Sequence, residues 1–301
     1  MMMNPIFESS ARRRMRTGRT PVILTAYMMV LLVFSVSALR MFFGQGTTAA
    51  QMRKSTEWYI WLTALEFMLI VLVAPALSAG SIAGERERQT FDLLLVSGIG
   101  VRRIVLGKLL EHFAFLALMI LCGMPVMALA GVTGGVTIWQ ILATTIHLMA
   151  IALEALSVGL FVSCLCNRSL TAMLASYLGV FVLGVGAWAL SKHGPLAAAY
   201  TTQSLRAFSS MSSIEILLGM PPTVFFCPAV GLLTMLSHQT GILHNTMENT
   251  FRLYHIYLAA RAAGFGISAL SCFAASCLCS GVLWVLSAFA LHLQFGSIRS
   301  K

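Results

Sequence analysis

Three ionisable side chains, Glu66, His147 and Glu154, lie inside long apolar stretches of this chain. Such groups are costly in hydrocarbon, so they usually face a bundle interior or a water-filled path. His147 and Glu154 are seven residues apart, which places them two turns apart on one face of a helix. A substrate or proton path is one interpretation of these intramembrane polar residues. An interhelical hydrogen bond that fixes packing is the favoured one, because a path needs more members than the sequence supplies.

No other group of residues predicts catalysis or metal binding. No serine–histidine–acid set and no pair of carboxylates can be assembled from the sequence. His244, Glu248 and His255 could share one helix face at a spacing that zinc uses. The turn-forming residues around them argue against a continuous helix, so no metal site is predicted.

The composition indicates a membrane protein. Of 301 residues, 58% are hydrophobic and only 10% are charged, and the mean hydropathy is +0.86. A soluble domain carries about 25% charged residues, so this chain could not cover a soluble surface. A soluble enzyme and a disordered chain are both excluded. The net charge of +10 lies beside the apolar runs, where it sets membrane topology, and no nucleic-acid partner is expected.

Six apolar runs reach the length of about 20 residues that a spanning helix needs. The predicted fold class is therefore an all-α polytopic membrane protein. Residues 1–20 form a basic cytoplasmic segment, and residues 21–301 form one transmembrane domain. A long outer segment, 191–263, contains an apolar stretch broken by three prolines, which we interpret as a re-entrant or interfacial element. The predicted spans are residues 21–43, 58–83, 109–132, 138–165, 170–190 and 264–293.

The distribution of positive charge predicts that both termini are cytoplasmic. With the N-terminus inside, the inner segments hold 13 Lys and Arg residues and the outer segments hold six. Positive residues accumulate on the cytoplasmic side of membrane proteins. This count places the segment 84–108, between the second and third spans, in the cytoplasm.

The N-terminal segment carries the signals of a helix start, since Asn4 can cap a helix and Pro5 suits its first position. A basic helix here would lie on the inner leaflet and contact membrane lipid. A solvated flank that only sets the topology is an equal alternative, and contact with a cytosolic partner is a third. The arginines of this predicted interfacial helix are Arg12, Arg13, Arg14 and Arg16.

The densest charge cluster of the chain lies in the segment 84–108. A block of alternating acids and bases is followed by apolar residues at helical spacing, which would form one apolar face. A short, charged, amphipathic helix on the cytoplasmic side is suited to docking onto a soluble partner. An ordinary loop with a fringe of snorkelling charges is the alternative. The predicted coupling residues are Glu85, Arg86, Glu87, Arg88, Phe91, Asp92 and Leu94.

The same region resembles the type-2 ABC transporter permeases. The similarity is carried by AGSIAG at 79–84, by ERERQTFDLLL at 85–95 and by RRIVLGKL at 102–109, and it is weakest over 191–263. The resemblance implies a permease that pairs with a second permease chain, identical or related. It also implies two cytosolic ABC ATPase subunits, whose closure drives export by alternating access. It further implies a coupling helix over Glu85–Val96, an interfacial helix over Pro5–Arg19 and a second inner contact at Asn167–Ser169.

No ATP site is expected in this chain. A P-loop needs GxxxxGK followed by Ser or Thr, whereas Gly107 and Lys108 are followed by Leu109. The chain is therefore predicted not to be an enzyme and to hold no cofactor, with ATP and magnesium bound by the partner ATPase. The predicted function is that of an exporter permease in the cell membrane. The alternatives are a membrane-embedded enzyme that uses His147 and Glu154, and a non-transporting assembly subunit.

Overall fold

The computed structural model describes residues 19–42, 48–90, 100–132, 135–186, 227–240 and 265–299, which are helical almost throughout and contain no strand. The all-α fold class is therefore confirmed for these residues. The helices are α1 (Arg19–Phe42), α2 (Thr48–Glu87), α3 (Val101–Val132), α4 (Ile138–Leu165), α5 (Ser169–Phe181, continued by a π-helical turn at Val182–Gly186), α6 (Pro228–Thr240) and α7 (Phe265–Arg299).

Four of these helices are long and apolar enough to cross a membrane: Met52–Glu87, Val101–Val132, Ile138–Leu165 and Leu270–Leu293. They correspond to the second, third, fourth and sixth predicted spans. The first and fifth predicted spans coincide with shorter apolar helices in the described residues, Pro21–Ser37 and Ser169–Gly184.

Helix α2 is longer at both ends than the predicted span of residues 58–83. Its first turns are polar, and Arg53 and Glu57 form an ion pair at 3.7 Å with i,i+4 spacing, which supports a helix outside the apolar run. Its last turn contains three charged residues and ends at Glu87. Hydropathy alone locates the apolar centre of such a helix and misses its charged ends.

Helix α4 lies at the centre of the bundle. It packs against α2, α3, α5, α6 and α7, and 72% of its most apolar stretch is buried, against 33–44% in the other three long helices. Leu148, Ile151 and Leu156 are at most 1% exposed. Because lipid is as apolar as these side chains, their contacts stabilise the bundle chiefly through close van der Waals packing.

Side-chain hydrogen bonds define the two ends of the bundle. At one end, which we call the network end, Ser55 Oγ donates to Ala130 O and Thr56 Oγ1 donates to Gly135 O, each at 3.0 Å. These bonds join the start of α2 to the connection between α3 and α4. At the other end, which we call the charged end, the end of α2 meets the start of α3 and the turn between α4 and α5.

Helix α6 is a short helix inside the predicted outer segment. Its 13 residues extend about 20 Å, which is less than the roughly 30 Å of a hydrocarbon core. At its start, Cys227 Sγ lies 3.2 Å from Gly184 O in the π-helical turn. Near its end, Gln239 Nε2 donates to Gln140 O at 3.1 Å. The rest of the predicted outer segment, residues 191–226 and 241–263, lies outside the described residues.

Candidate coupling site and intramembrane polar groups

The last turn of α2 forms an ion pair with α3. Lys108 Nζ lies 2.6 Å from Glu85 Oε1, and the two side chains are only 16% and 25% exposed. Partial burial lowers the effective dielectric and strengthens such a pair relative to one on the open surface. The pair fixes the end of α2 against the second turn of α3.

The next two residues of α2 contact the turn between α4 and α5. Arg86 Nη1 donates to Asn167 Oδ1 at 3.4 Å. The backbone N–H of Ser169 donates to Glu87 Oε2 at 3.0 Å, and the Ser169 hydroxyl donates to the same oxygen. Ser169 is the first residue of α5, and a carboxylate at a helix N-terminus also interacts favourably with the helix dipole. We call the pairs Glu85–Lys108, Arg86–Asn167 and Glu87–Ser169 the brace.

A buried serine continues the brace into the bundle. Ser163 Oγ on α4 accepts hydrogen bonds from the backbone N–H groups of Ile82 and Ala83, both at 3.0 Å. Ser163 is fully buried, so these bonds are shielded from water. Helix α2 is therefore attached to α3, α4 and α5 within its last two turns.

The structure differs from the predicted coupling helix over Glu85–Val96 at its start. Gln89 has a left-handed backbone with φ 57°. Thr90 N–H donates to Glu85 O and Gln89 N–H donates to Arg86 O, each at 3.0 Å, which is the Schellman arrangement that ends helices. The first three predicted coupling residues therefore belong to α2, which ends before Thr90.

The structure brings together several residues that the sequence singled out. Glu85, Arg86 and Glu87 meet at the charged end, and Asn167–Ser169, the predicted second inner contact, joins them there. Arg88 follows them in the turn and is exposed. The remaining predicted coupling and interfacial residues lie outside the described residues: Phe91, Asp92, Leu94, Arg12, Arg13, Arg14 and Arg16.

The buried carboxyl group of Glu66 has a hydrogen-bond partner within the bundle. It is 1% exposed, and the Tyr27 hydroxyl on α1 donates to its Oε1 at 2.9 Å. Gly123 on α3 leaves the space for this pair, because a Cβ there would lie 2.7 Å from Glu66 Oε1. The contact joins α1, α2 and α3, which agrees with the favoured packing interpretation.

His147 faces α6 and α7. It is 3% exposed, and its ring centroid lies 6.3 Å from that of Phe273. A Cβ at position 231 would lie 3.0 Å from His147 Nε2, so the glycine allows α6 to approach the imidazole. Nε2 has no hydrogen-bond partner among the described residues.

Glu154 lies on the same side of α4, closer to the charged end. It is 2% exposed and faces Ser276 and Cys279 on α7. The Ser276 hydroxyl and the Cys279 thiol approach the carboxyl, but neither carboxyl oxygen has a partner at regular hydrogen-bond geometry among the described residues. The shared helix face that the sequence predicts for His147 and Glu154 is present, but Glu66 belongs to a separate contact.

Sequence reasoning missed a polar network at the network end. Tyr59 Oη lies 2.6 Å from Thr144 Oγ1, and both hydroxyls lie within 3.3 Å of Gln239 Oε1. Gln140 Nε2 donates to Gln239 O at 2.9 Å, which complements the bond from Gln239 Nε2. The network joins α2, α4 and α6. The sequence feature that could have indicated this network is the presence of uncharged polar residues near the starts of two predicted spans, at Tyr59 and Thr144.

The described residues contain no group of three His, Cys, Asp or Glu side chains that could hold a metal ion. His244, Glu248 and His255 lie outside the described residues. Glu66 pairs with Tyr27 on α1, whereas His147 and Glu154 both face α7 but lie two turns apart along α4. No two of these three described residues therefore form an acid–base dyad.

Taken together, the long apolar helices around a buried central helix define a multi-pass membrane protein with a braced, charged end. The chain belongs to the ABC-2 family transporter proteins, whose family model matches residues 5–292. The predicted membership of the type-2 ABC permeases is therefore confirmed, and the chain is a membrane permease of an ABC transporter. Members of this family generally work with ATP-binding subunits. No curated protein matches the chain.

Proposed function

We propose that this chain is the membrane subunit of an ABC exporter, driven by separate cytosolic ATPase subunits that bind ATP and magnesium. The observation that carries the proposal is the brace. Three consecutive charged residues at the end of α2 each contact a different point of the bundle, so a force applied just beyond α2 would reach α3 and the α4–α5 turn together.

In this proposal, the charged end faces the cytosol, and both termini lie on that side of the cell membrane. The positive charge of Arg88, Arg102, Arg103 and Lys108 supports this orientation. The segment 88–100 is then the docking site for the ATPase. Glu85, Arg86 and Glu87 position that segment, because their side chains pair within the chain.

The proposed transport mechanism is alternating access by a pair of permease chains, with the same chain or a related one as the second half. Support comes from the family and from the central position of α4, around which α2, α3, α5, α6 and α7 pack. The packing allows α2, which carries the docking segment, to move the α4–α5 turn with it.

The experiment compares ATP hydrolysis by the ATPase alone and in complex with the reconstituted permease. Replacing Glu85, Arg86, Glu87 and Arg88 by alanine should leave membrane insertion intact and abolish stimulation of hydrolysis by the permease. A matched control neutralises the exposed pair Arg53–Glu57 at the network end and should keep the stimulation. Unchanged stimulation in the alanine variant would overturn the proposal.

Two outcomes would favour the alternatives. An activity that survives without any ATPase and is lost in His147→Ala/Glu154→Ala would indicate a membrane-embedded enzyme. Stable assembly with other membrane proteins, but no co-purifying protein with a GxxxxGK[ST] motif, would indicate an assembly subunit.

The direction of transport has its own test. If the chain is part of an exporter, inside-out vesicles should take up cargo when ATP is supplied.

A further inference from the structure

Glu154 is a carboxyl group sealed inside the bundle near the middle of α4. The side chain is 2% exposed, and neither oxygen has accessible surface or a hydrogen-bond partner among the described residues. An ionised carboxylate without a partner in a nonpolar environment carries a very large desolvation cost. Bound protons, bound cations or paired donors are the ways in which proteins avoid that cost.

Glu66 provides the contrast within the same chain. It is equally buried, but the Tyr27 hydroxyl donates to its Oε1 at 2.9 Å. The Glu66 carboxyl therefore has a hydrogen-bond donor, whereas the Glu154 carboxyl has none at regular geometry among the described residues. A structural acid would be expected to have such a donor, since nearly all buried polar groups in native proteins are paired.

The surroundings of Glu154 limit what can bind there. On α7 the facing groups are Ser276 and Cys279, with the thiol of Cys277 also near the carboxyl. No charged group from the described parts of α2, α3, α5 or α6 contributes to its environment, and His147 lies two turns away on α4. Both oxygens are enclosed, so the packed arrangement admits a proton and excludes a hydrated cation or an organic cargo.

We propose that Glu154 is a proton-binding site at the contact between α4 and α7. The carboxylate takes up a proton from water when the contact opens, forms an O–H bond, and is then enclosed as the neutral acid. When α4 and α7 separate again, the O–H bond breaks and the proton returns to water. The proposal goes beyond the exporter function and does not depend on it, because it requires only the packing of these two helices.

The first test is infrared spectroscopy of the full chain in liposomes, following the carbonyl stretch of protonated carboxylic acids. At neutral pH we expect an acid band that is lost in Glu154→Gln and retained in Glu66→Gln, the matched control. Raising the pH should remove the same band from the wild-type chain, a titration that needs no substitution. A band unchanged in Glu154→Gln, or the absence of any acid band from the wild type at neutral pH, would overturn the proposal.

The second test asks whether release needs separation of the helices. Cys164 on α4 faces Ser287 on α7, so Ser287→Cys places a second thiol beside a native one. The two thiols are bridged by oxidation or by a short bifunctional thiol reagent, and mass spectrometry verifies the bridge. The Glu154 acid band should persist to higher pH in the bridged protein than in the same variant after reduction.

The reduced variant is the control, because it has the same composition as the bridged one. Identical titrations in the two forms would show that the proton exchanges without separation of α4 from α7. That result would overturn the proposal that proton release requires the two helices to separate. Neither result of the ATPase experiment, lost or unchanged stimulation, alters what the two spectroscopic tests are expected to show. The exporter proposal and the Glu154 proposal can therefore fail separately.

Discussion

The ammonium group of Lys108 lies 2.6 Å from the carboxylate of Glu85 and joins α2 to α3 at the charged end. The two residues lie on different helices, α2 and α3, on either side of the proposed docking segment. The ion pair therefore holds together the two helices that flank this segment. A partner that moves the segment moves both helices.

We expect Lys108→Gln to destabilise the bundle by about 1–3 kcal/mol, because it leaves the partly buried Glu85 carboxylate without its charged partner. The charge swap Glu85→Lys/Lys108→Glu should restore part of this loss. Unfolding of the reconstituted chain, followed by denaturant titration, measures both effects. Arg53→Gln, which breaks an exposed pair, is the control and should cost less than about 1 kcal/mol. Equal losses in the two single variants would contradict the role of the Glu85–Lys108 pair.

The sequence singled out the residues of the charged end but not the contacts that they make with one another. Glu85, Arg86 and Glu87 were predicted to be coupling residues whose charges contact a partner. The structure instead pairs them within the chain, because α2 continues as a helix past its apolar run. Helical spacing shows that charges are adjacent, but it cannot show which neighbouring helix supplies their partners.

Gln89 illustrates a limit of turn signals. A left-handed residue at a helix end is usually glycine, and here the position is occupied by Gln89 at φ 57°. The coupling helix predicted over Glu85–Val96 has no end at this position, so the turn at Gln89 was missed.

Gln89→Gly should stabilise the end of α2 by up to about 1 kcal/mol, because a left-handed conformation is unfavourable for a residue with a Cβ. The measurement is hydrogen exchange of the amides from 84 to 90, which should slow. Arg88→Gly is the matched control and should accelerate exchange, since Arg88 does not require a left-handed backbone. Faster exchange in Gln89→Gly would mean that the side chain, and not the backbone, fixes this turn.

Gly123→Ala tests the packing of Glu66. The added Cβ would lie 2.7 Å from Glu66 Oε1 and 3.2 Å from Tyr27 Oη, so the pair must shift or break. We expect destabilisation of about 1–3 kcal/mol, measured by denaturant unfolding in the membrane mimetic. Gly281→Ala is the control, since nothing lies within 4 Å of its added Cβ, and it should be neutral or slightly stabilising. Similar behaviour of the two variants would rule out a tight contact at Gly123.

Four of the six predicted spans correspond to long apolar helices, and they could be predicted from the sequence because apolar length is a local property. The polar network at the network end could not, since Tyr59 and Gln239 are 180 residues apart and their pairing depends on how α6 packs. An apolar stretch interrupted by prolines indicated an irregular element there. Nothing in that stretch indicated that its end would contact both α2 and α4.

Gln239→Leu should loosen α6 while leaving the rest of the bundle intact. The substitution removes the side-chain bonds to Gln140 O, Tyr59 and Thr144, although Tyr59 and Thr144 stay paired with each other at 2.6 Å. Hydrogen exchange should therefore accelerate in α6 and change little in α4. Thr240→Val is the matched control, because the Thr240 hydroxyl donates only to Leu236 O within the same helix. If Thr240→Val accelerated exchange in α6 as much as Gln239→Leu, the bonds from Gln239 to α2 and α4 would not be what holds α6 in place.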